Sequence, residues 1–265
     1  MYLASHDQAC FGHRNPYFHD ERDSGFVTHY MGLMKQSKDP AVLPERKTSD
    51  PLAVGEEVYP VAFQVELKSG GFADAHFHQV DQFQLVQTCP GGRFGQMQVD
   101  EQPLLHFAAA CSAYGPLAAG TQPLRFYTLR NGYDDGIKFV PQERPEAYRR
   151  PGRKAKSAHG RVPHRASTAV SKMLEVPVIP QENSGLFATY LQVPNGQPCA
   201  QFDPRMSRGQ YWLVMGGSCE FNDKEAREGD VAFVAPEDAP LKVRAGPDGV
   251  SVLLMQFPRL QNPAP

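Results

Sequence analysis

Residues 71–91 read GFADAHFHQVDQFQLVQTCPG. Two histidines, His76 and His78, stand one residue apart, and Gln82 follows before the chain turns apolar. In an extended segment successive side chains point to opposite faces, so His76 and His78 share one face, about 7 Å apart along the backbone, while Phe77 turns to the other. Two imidazoles at that spacing can converge on one ion; they can equally belong to an ordinary strand. Gln82 opens the next apolar run after a short turn and offers an amide oxygen. Neutral nitrogen and oxygen donors of this kind suit Fe, Mn, Ni, Co or Zn.

Short β-rich runs separated by proline and glycine surround this stretch: VAFQVEL, FQLVQ, FGQMQV and LRFYTLR in the first half, then LFATYLQV, YWLVMGG, VAFVAP and VSVLLMQF. Many short strands with frequent turn residues indicate an all-β sandwich or barrel. The best helix candidate is short, around Thr28–Lys35. The runs also repeat. GFADAHFH (71–78) lies over GQPCAQFD (196–203) with Gly, Ala and Phe in register. QFQLV (82–86) lies over QYWLV (210–214), EQPLLHFA (101–108) over EGDVAFVA (228–235), and Ala119-Gly120 over Ala245-Gly246. The same elements in the same order indicate two copies of one β-fold.

The first motif resembles that of the cupin superfamily: a glycine, five residues, an HxH pair, three or four residues, a carboxylate, then an apolar strand ending at glycine. Here Gly70 and Gly71 open it, His76 and His78 form the pair, and Gln82 stands where the family usually has Glu. The second cupin motif is similar to PLLHFAAACSAYGPLAAG (103–120), with Tyr114 at the place of its histidine and without the usual turn proline. The resemblance implies an all-β protein of two tandem cupin-type jelly-roll barrels with an N-terminal arm. The expected divisions are an arm at 1–54, a first barrel at 55–140, a basic linker at 141–171, and a second barrel at 172–265. The linker region 141–168 carries eight Lys and Arg against two Glu, which reads as a solvated connector. The arm is expected to cover a sheet edge or pack against a partner subunit.

The family's usual ligands are three histidines and a glutamate. By resemblance, His76, His78 and Gln82 would hold one divalent transition metal (Fe, Mn, Ni or Zn), with His106 or Tyr114 completing the site. Tyr114 could ligate, donate to a substrate as a catalytic residue, or pack. His106 could be a third imidazole or a core histidine. Asp81 is expected to face away from Gln82's side. Arg125 or Arg130 could hold a substrate carboxylate, and Phe83, with Phe63, Phe94, Phe126 and Tyr127, could line an apolar pocket. In the second half Gln201 and Asp203 replace the histidine pair, His106 aligns with Phe233, and Tyr114 with Pro240 or Leu241. All nine histidines precede residue 165, so the first barrel is expected to be the active one.

The functional readings are a metal-dependent enzyme (a dioxygenase, isomerase or lyase acting on a small organic acid or aromatic compound), a non-catalytic binding or sensor protein, and a scaffold. The net charge of −2 asks for neither nucleic acid nor membrane. No apolar run is long enough to span a bilayer, and the polar start MYLASHDQAC lacks the pattern of a signal peptide; a cytoplasmic address is expected. The five scattered cysteines form no CxxC pair, so neither a disulfide framework nor a zinc ribbon is expected. The expected partner is a small-molecule substrate, and the aromatic-rich halves with their long arm are compatible with a homodimer.

Overall fold

The computed structural model describes residues 1–32, 58–149, 154–164 and 170–259. The chain is all-β and its described residues divide into two compact units, one within 12–161 and one of 1–11 with 162–259. Each is a jelly roll of antiparallel strands.

In the first unit a seven-stranded sheet runs in the order Ser157–Arg161, Leu104–Ala108, Gln82–Val86, Leu124–Arg130, Val61–Leu67, Ser24–Met31, Arg14–Phe18. A smaller sheet joins Phe72–Ala73, Leu117–Ala118, Arg93–Phe94 and Met97–Gln98. Leu67, Val86, Leu104, Leu124 and Phe126 of the large sheet share one buried cluster with Ala73, Phe94 and Leu117 of the small one, so the core lies between the sheets. Gly70 adopts a positive φ of 66° in the turn after Leu67, a backbone state that glycine enters without Cβ strain. That turn leads the chain back toward the short strand His76–Phe77, which pairs with Lys138–Phe139.

Three placements differ from the sequence expectation. Thr28–Met31 is not helical but the end of strand Ser24–Met31, paired with Val61–Leu67; residues 33–35 of that candidate lie outside the described residues. Here strand pairing overrides a short local pattern. Ser157–Arg161, within the stretch read as linker, is an edge strand on Leu104–Ala108. Residues 14–31, within the stretch read as an arm, are two strands of the first sheet, whereas Tyr2–Ala4 pairs with Val231–Val234 at the edge of the second unit's sheet.

The second unit is one seven-stranded sheet in the order Tyr2–Ala4, Val231–Val234, Gln210–Phe221, Val243–Gln256, Phe187–Val193, Leu174–Ile179, with Lys224–Arg227 paired to Gln210–Phe221. Register shifts at Val214/Gly216 and Gly217/Cys219 break the ladder of its two longest strands, and such bulges bend a strand and raise its twist.

The ladders fix the internal correspondence. In the first unit Gln84 pairs with His106 and Thr128; in the second Trp212 pairs with Ala232 and Leu254. His106 therefore corresponds to Ala232, not to Phe233. One residue of slip moves a side chain to the other face, and the ring pairs agree with the corrected register. Phe83 packs on Phe107 at 5.0 Å, as Tyr211 packs on Phe233 at 4.9 Å.

Candidate functional site

A cavity of about 210 Å³ opens inside the first unit. Strand alternation builds its wall. Gln84, then Phe126, Thr128 and Arg130, then Phe63, Val65 and Leu67 come from three neighbouring strands of the large sheet and share one face. His76, His78 and Tyr114 line the same space, together with Asp134 and residues of the Arg14–Phe18 hairpin.

The two histidines are buried, and their rings lie 5.4 Å apart, edge to face. His76 Nδ1 lies 2.7 Å from the Asp74 carbonyl oxygen. That oxygen only accepts, so Nδ1 carries the proton and Nε2 keeps its lone pair. His78 Nδ1 donates to Asp134 Oδ2 at 2.7 Å, which leaves its Nε2 bare in the same way. Burial, aided by the neighbouring His78, pushes His76 down to about 3. Burial and then the Arg130 charge lower His78. Both rings are neutral at physiological pH, the state in which imidazole binds metals.

Asp134 organises this corner. Its carboxylate receives His78, the Arg130 guanidinium at 3.1 Å, and the backbone N–H groups of Gln79 and Gly136, each at 3.1 Å. Burial alone would raise its carboxyl; His78 and Arg130 outweigh that and hold it well below the usual range. Carboxylates that orient a ligating histidine recur behind metal sites. Nothing in the sequence marked Asp134, which meets His78 from 56 residues away.

The structure brings together only part of the expected ligand set. Gln82 is fully buried, but its Oε1 accepts from Arg130 Nε at 3.0 Å. Gln82 and Arg130 are directly paired across the ladder, so the nearest cation takes the oxygen. Gln84, two residues on, lines the cavity instead. Its Nε2 donates to the Tyr114 hydroxyl at 3.3 Å, and its Oε1 is buried without a hydrogen-bond partner. Tyr114 lies edge-on to His76 at 4.6 Å and stacks on Phe94 at 5.8 Å. Burial raises its hydroxyl above the ordinary phenol range, so it is a neutral donor. Arg125 points out of the barrel to Glu66 at 2.7 Å, and Phe83 packs on Phe107 on the face away from Gln84. Neither lines the cavity; Arg130 does. Asp81 accepts from the Ala110 N–H at 2.8 Å.

His106 is not on the cavity wall. Its Nε2 is 2.6 Å from Ser157 Oγ, its ring packs on Phe94 at 4.7 Å, and its Nδ1 has no partner. Burial, then the charge of His159, pushes it down to about 3. The folded chain thus refuses a proton that the unfolded chain takes up near pH 6.5. Stability is therefore lost as pH falls below 6.5, by up to about 1.4 kcal/mol per pH unit from this residue, until the folded form also protonates. Urea denaturation at pH 7, 6 and 5 is expected to show a shallower decline for His106→Leu than for wild type. Equal slopes would show that His106 protonates freely in the fold.

Among the described residues no group of three or more His, Cys, Asp and Glu is placed to hold a metal ion. The cavity residues with nitrogen or oxygen donors of this kind are His76 and His78, with bare Nε2 atoms, Gln84, with an orphaned Oε1, and Tyr114.

No family model and no curated protein matches the sequence. Solved structures do match it. A bacterial pirin, YhhW from Escherichia coli in complex with nickel(II), superposes with a TM-score of 0.54 at 11% identity, over 98% of this chain and 99% of that one. A putative dioxygenase from Nostoc punctiforme gives 0.58 at 10% identity, over 98% and 84%. A point mutant of Bacillus subtilis oxalate decarboxylase gives 0.52 at 10% identity, over 98% and 78%. The chain shares the cupin-type fold of these structures. At these identities the likeness establishes the bicupin architecture and leaves chemistry to the site. Within that architecture the two barrels differ. The second replaces Gln84 and Thr128 of the cavity wall with Trp212 and Leu254 and replaces Arg130 with Gln256. Trp212 fills its core with Leu254, Val234 and Phe221.

Proposed function

We propose that the N-terminal barrel holds one divalent first-row metal ion on Nε2 of His76 and Nε2 of His78, and binds a small organic molecule beside it as a metal-dependent enzyme. The observation that carries this reading is the shared state of the two imidazoles. Each has Nδ1 committed to an acceptor, each is lowered by burial, and both face one cavity. A nickel-bound pirin among the structural relatives supports it.

When bound, such an ion supplies Lewis acidity or a centre for one-electron chemistry. The chain supplies the rest. Asp134 fixes the tautomer and orientation of His78. Arg130 places a buried positive charge on the wall, suited to an acidic or carbonyl oxygen of the substrate. The Tyr114 hydroxyl, held neutral and positioned by Gln84, can donate a hydrogen bond to a bound oxygen. Phe63, Val65, Leu67, Leu117 and Phe126 exclude water and hold an apolar body.

A non-catalytic binding protein is the second reading. It is favoured by the absence, among the described residues, of any group of three or more His, Cys, Asp and Glu placed to hold an ion. Metal stoichiometry of the purified chain, beside the His76→Ala/His78→Ala double variant, tests the shared premise of both readings. Turnover of small acids or aromatic compounds by the loaded protein separates them. No helix among the described residues is long and apolar enough to cross a membrane.

A further inference from the structure

The hairpin of residues 14–31 lies outside the internal repeat, yet its turn reaches the cavity. The turn is pinned from within and from without. His19 and Asp20 N–H donate to the Asp23 carbonyl at 2.9 and 3.2 Å, and Asp20 Oδ1 accepts from the N–H groups of Arg22 and Asp23 at 2.7 and 2.9 Å. Phe72 N–H donates to the Arg22 carbonyl and Lys68 N–H to the Ser24 carbonyl, each at 3.0 Å. The Arg22 guanidinium pairs with Asp74 at 2.8 Å. A turn tied at this many points fixes the direction of its side chains.

What it fixes is Asp23. The side chain belongs to the cavity wall and the residue is only 7% exposed. Tyr17, also on the wall, donates its hydroxyl to Asp23 Oδ1 at 3.0 Å. Among the described residues no donor meets Oδ2. No basic side chain is hydrogen-bonded to this carboxyl either, and Arg22 is turned to Asp74. Burial pushes the Asp23 carboxyl up. A carboxyl oxygen that no protein donor meets keeps its lone pairs for a ligand that brings one. The same cavity is lined by His76, His78, Tyr114 and Gln84, and by the apolar Val27, Phe63, Val65, Leu67, Leu117 and Phe126. An apolar cavity of roughly 150 Å³ accepts a benzene ring, so about 210 Å³ accepts one ring with small substituents.

We propose that Asp23 is a specificity-determining residue: its Oδ2 accepts a hydrogen bond from a hydroxyl group on a single-ring aromatic ligand seated in this cavity. Tyr17 already shows a phenolic hydroxyl in that role on the other oxygen. The inference rests on the cavity being the ligand site, as in the proposed function, and not on the ion.

The test uses two probes of nearly equal shape, phenol and toluene, and reads their dissociation constants by calorimetry or ligand-observed NMR. In Asp23→Ala the preference for phenol over toluene is expected to fall about tenfold relative to wild type, with toluene binding little changed. Asp23→Asn keeps the size of the side chain but has one neutral acceptor oxygen for two donors, Tyr17 and the ligand, and should lose about threefold or more, since uncharged hydrogen bonds are roughly half as strong. It also serves if the alanine variant fails to fold. Wild-type protein stripped of its ion by a chelator should keep the wild-type preference. Loss of the ion there with the preference intact separates this inference from the metal reading. An unchanged preference in folded Asp23 variants, or no phenol binding to wild type at millimolar concentration, would overturn it.

Discussion

Asp134→Ala is expected to lower the stability of the N-terminal barrel by about 3–5 kcal/mol and to release the metal. Asp134 is buried between the His78 imidazole and the Arg130 guanidinium and accepts two backbone N–H groups besides. Removing one partner of a buried pair strands the other charge, which costs far more than the pair itself contributes. The Arg130 guanidinium would lose its carboxylate, and the His78 ring would lose the acceptor that sets its tautomer. If stranding is the cause, adding Arg130→Met to Asp134→Ala should recover part of the stability but none of the metal. The pH dependence has a definite sign. A carboxyl held low in the folded state contributes stability above its unfolded pKa of about 3.9, and that contribution is lost as pH falls further through the lowered folded value. Urea midpoints of the variants at pH 7, with metal content measured in parallel, check both halves. Near-wild-type stability and full metal content in Asp134→Ala would show that the carboxylate organises nothing.

Trp212→Ala should be similarly costly, about 3–5 kcal/mol, but in the other barrel and without effect on the ion. Trp212 is fully buried, packs edge-on to Phe202 at 5.8 Å and Phe221 at 6.4 Å, and donates Nε1–H to Gln210 Oε1 at 3.3 Å. It occupies the ladder position that Gln84 holds in the first barrel. The same strand position therefore lines a cavity in one unit and fills it in the other. Calorimetry should show the second unit's transition moved to lower temperature while metal stoichiometry stays at the wild-type value. A loss of metal in this variant would mean that the second barrel takes part in the site.

The contrast between the barrels was legible in the residues. The HxH pair, the ordered repeat and the lack of histidine after residue 164 all point to the first barrel, because strand alternation makes i and i+2 pairs readable without a structure. Alternation gives only parity, however. Gln82 and Gln84 share a face, and which of them reaches the cavity depends on the arginine that ladder pairing sets opposite Gln82. His106 shares that face too, but the edge strand Ser157–Arg161 brings Ser157 to its Nε2, and that strand lay in a stretch whose composition reads as linker. Arg125 and Arg130 have opposite parity in one strand, so only one could turn inward. Choosing between them needed the position of Asp134. Asp23 and Asp134 escaped because a carboxylate in a turn looks the same in sequence whether it faces water or a cavity. Sequence could have raised a search for Asp134 only through the general rule that a ligating histidine needs an acceptor behind it.

The most direct measurement is the metal content of the chain as purified and after reconstitution, determined by plasma mass spectrometry beside the His76→Ala/His78→Ala double variant. About one equivalent of a first-row ion per chain in wild type, absent from a double variant that keeps its β-sheet circular dichroism, is the predicted result. Full occupancy in the double variant, or no ion in the wild-type chain even after reconstitution, would contradict a metal held by His76 and His78.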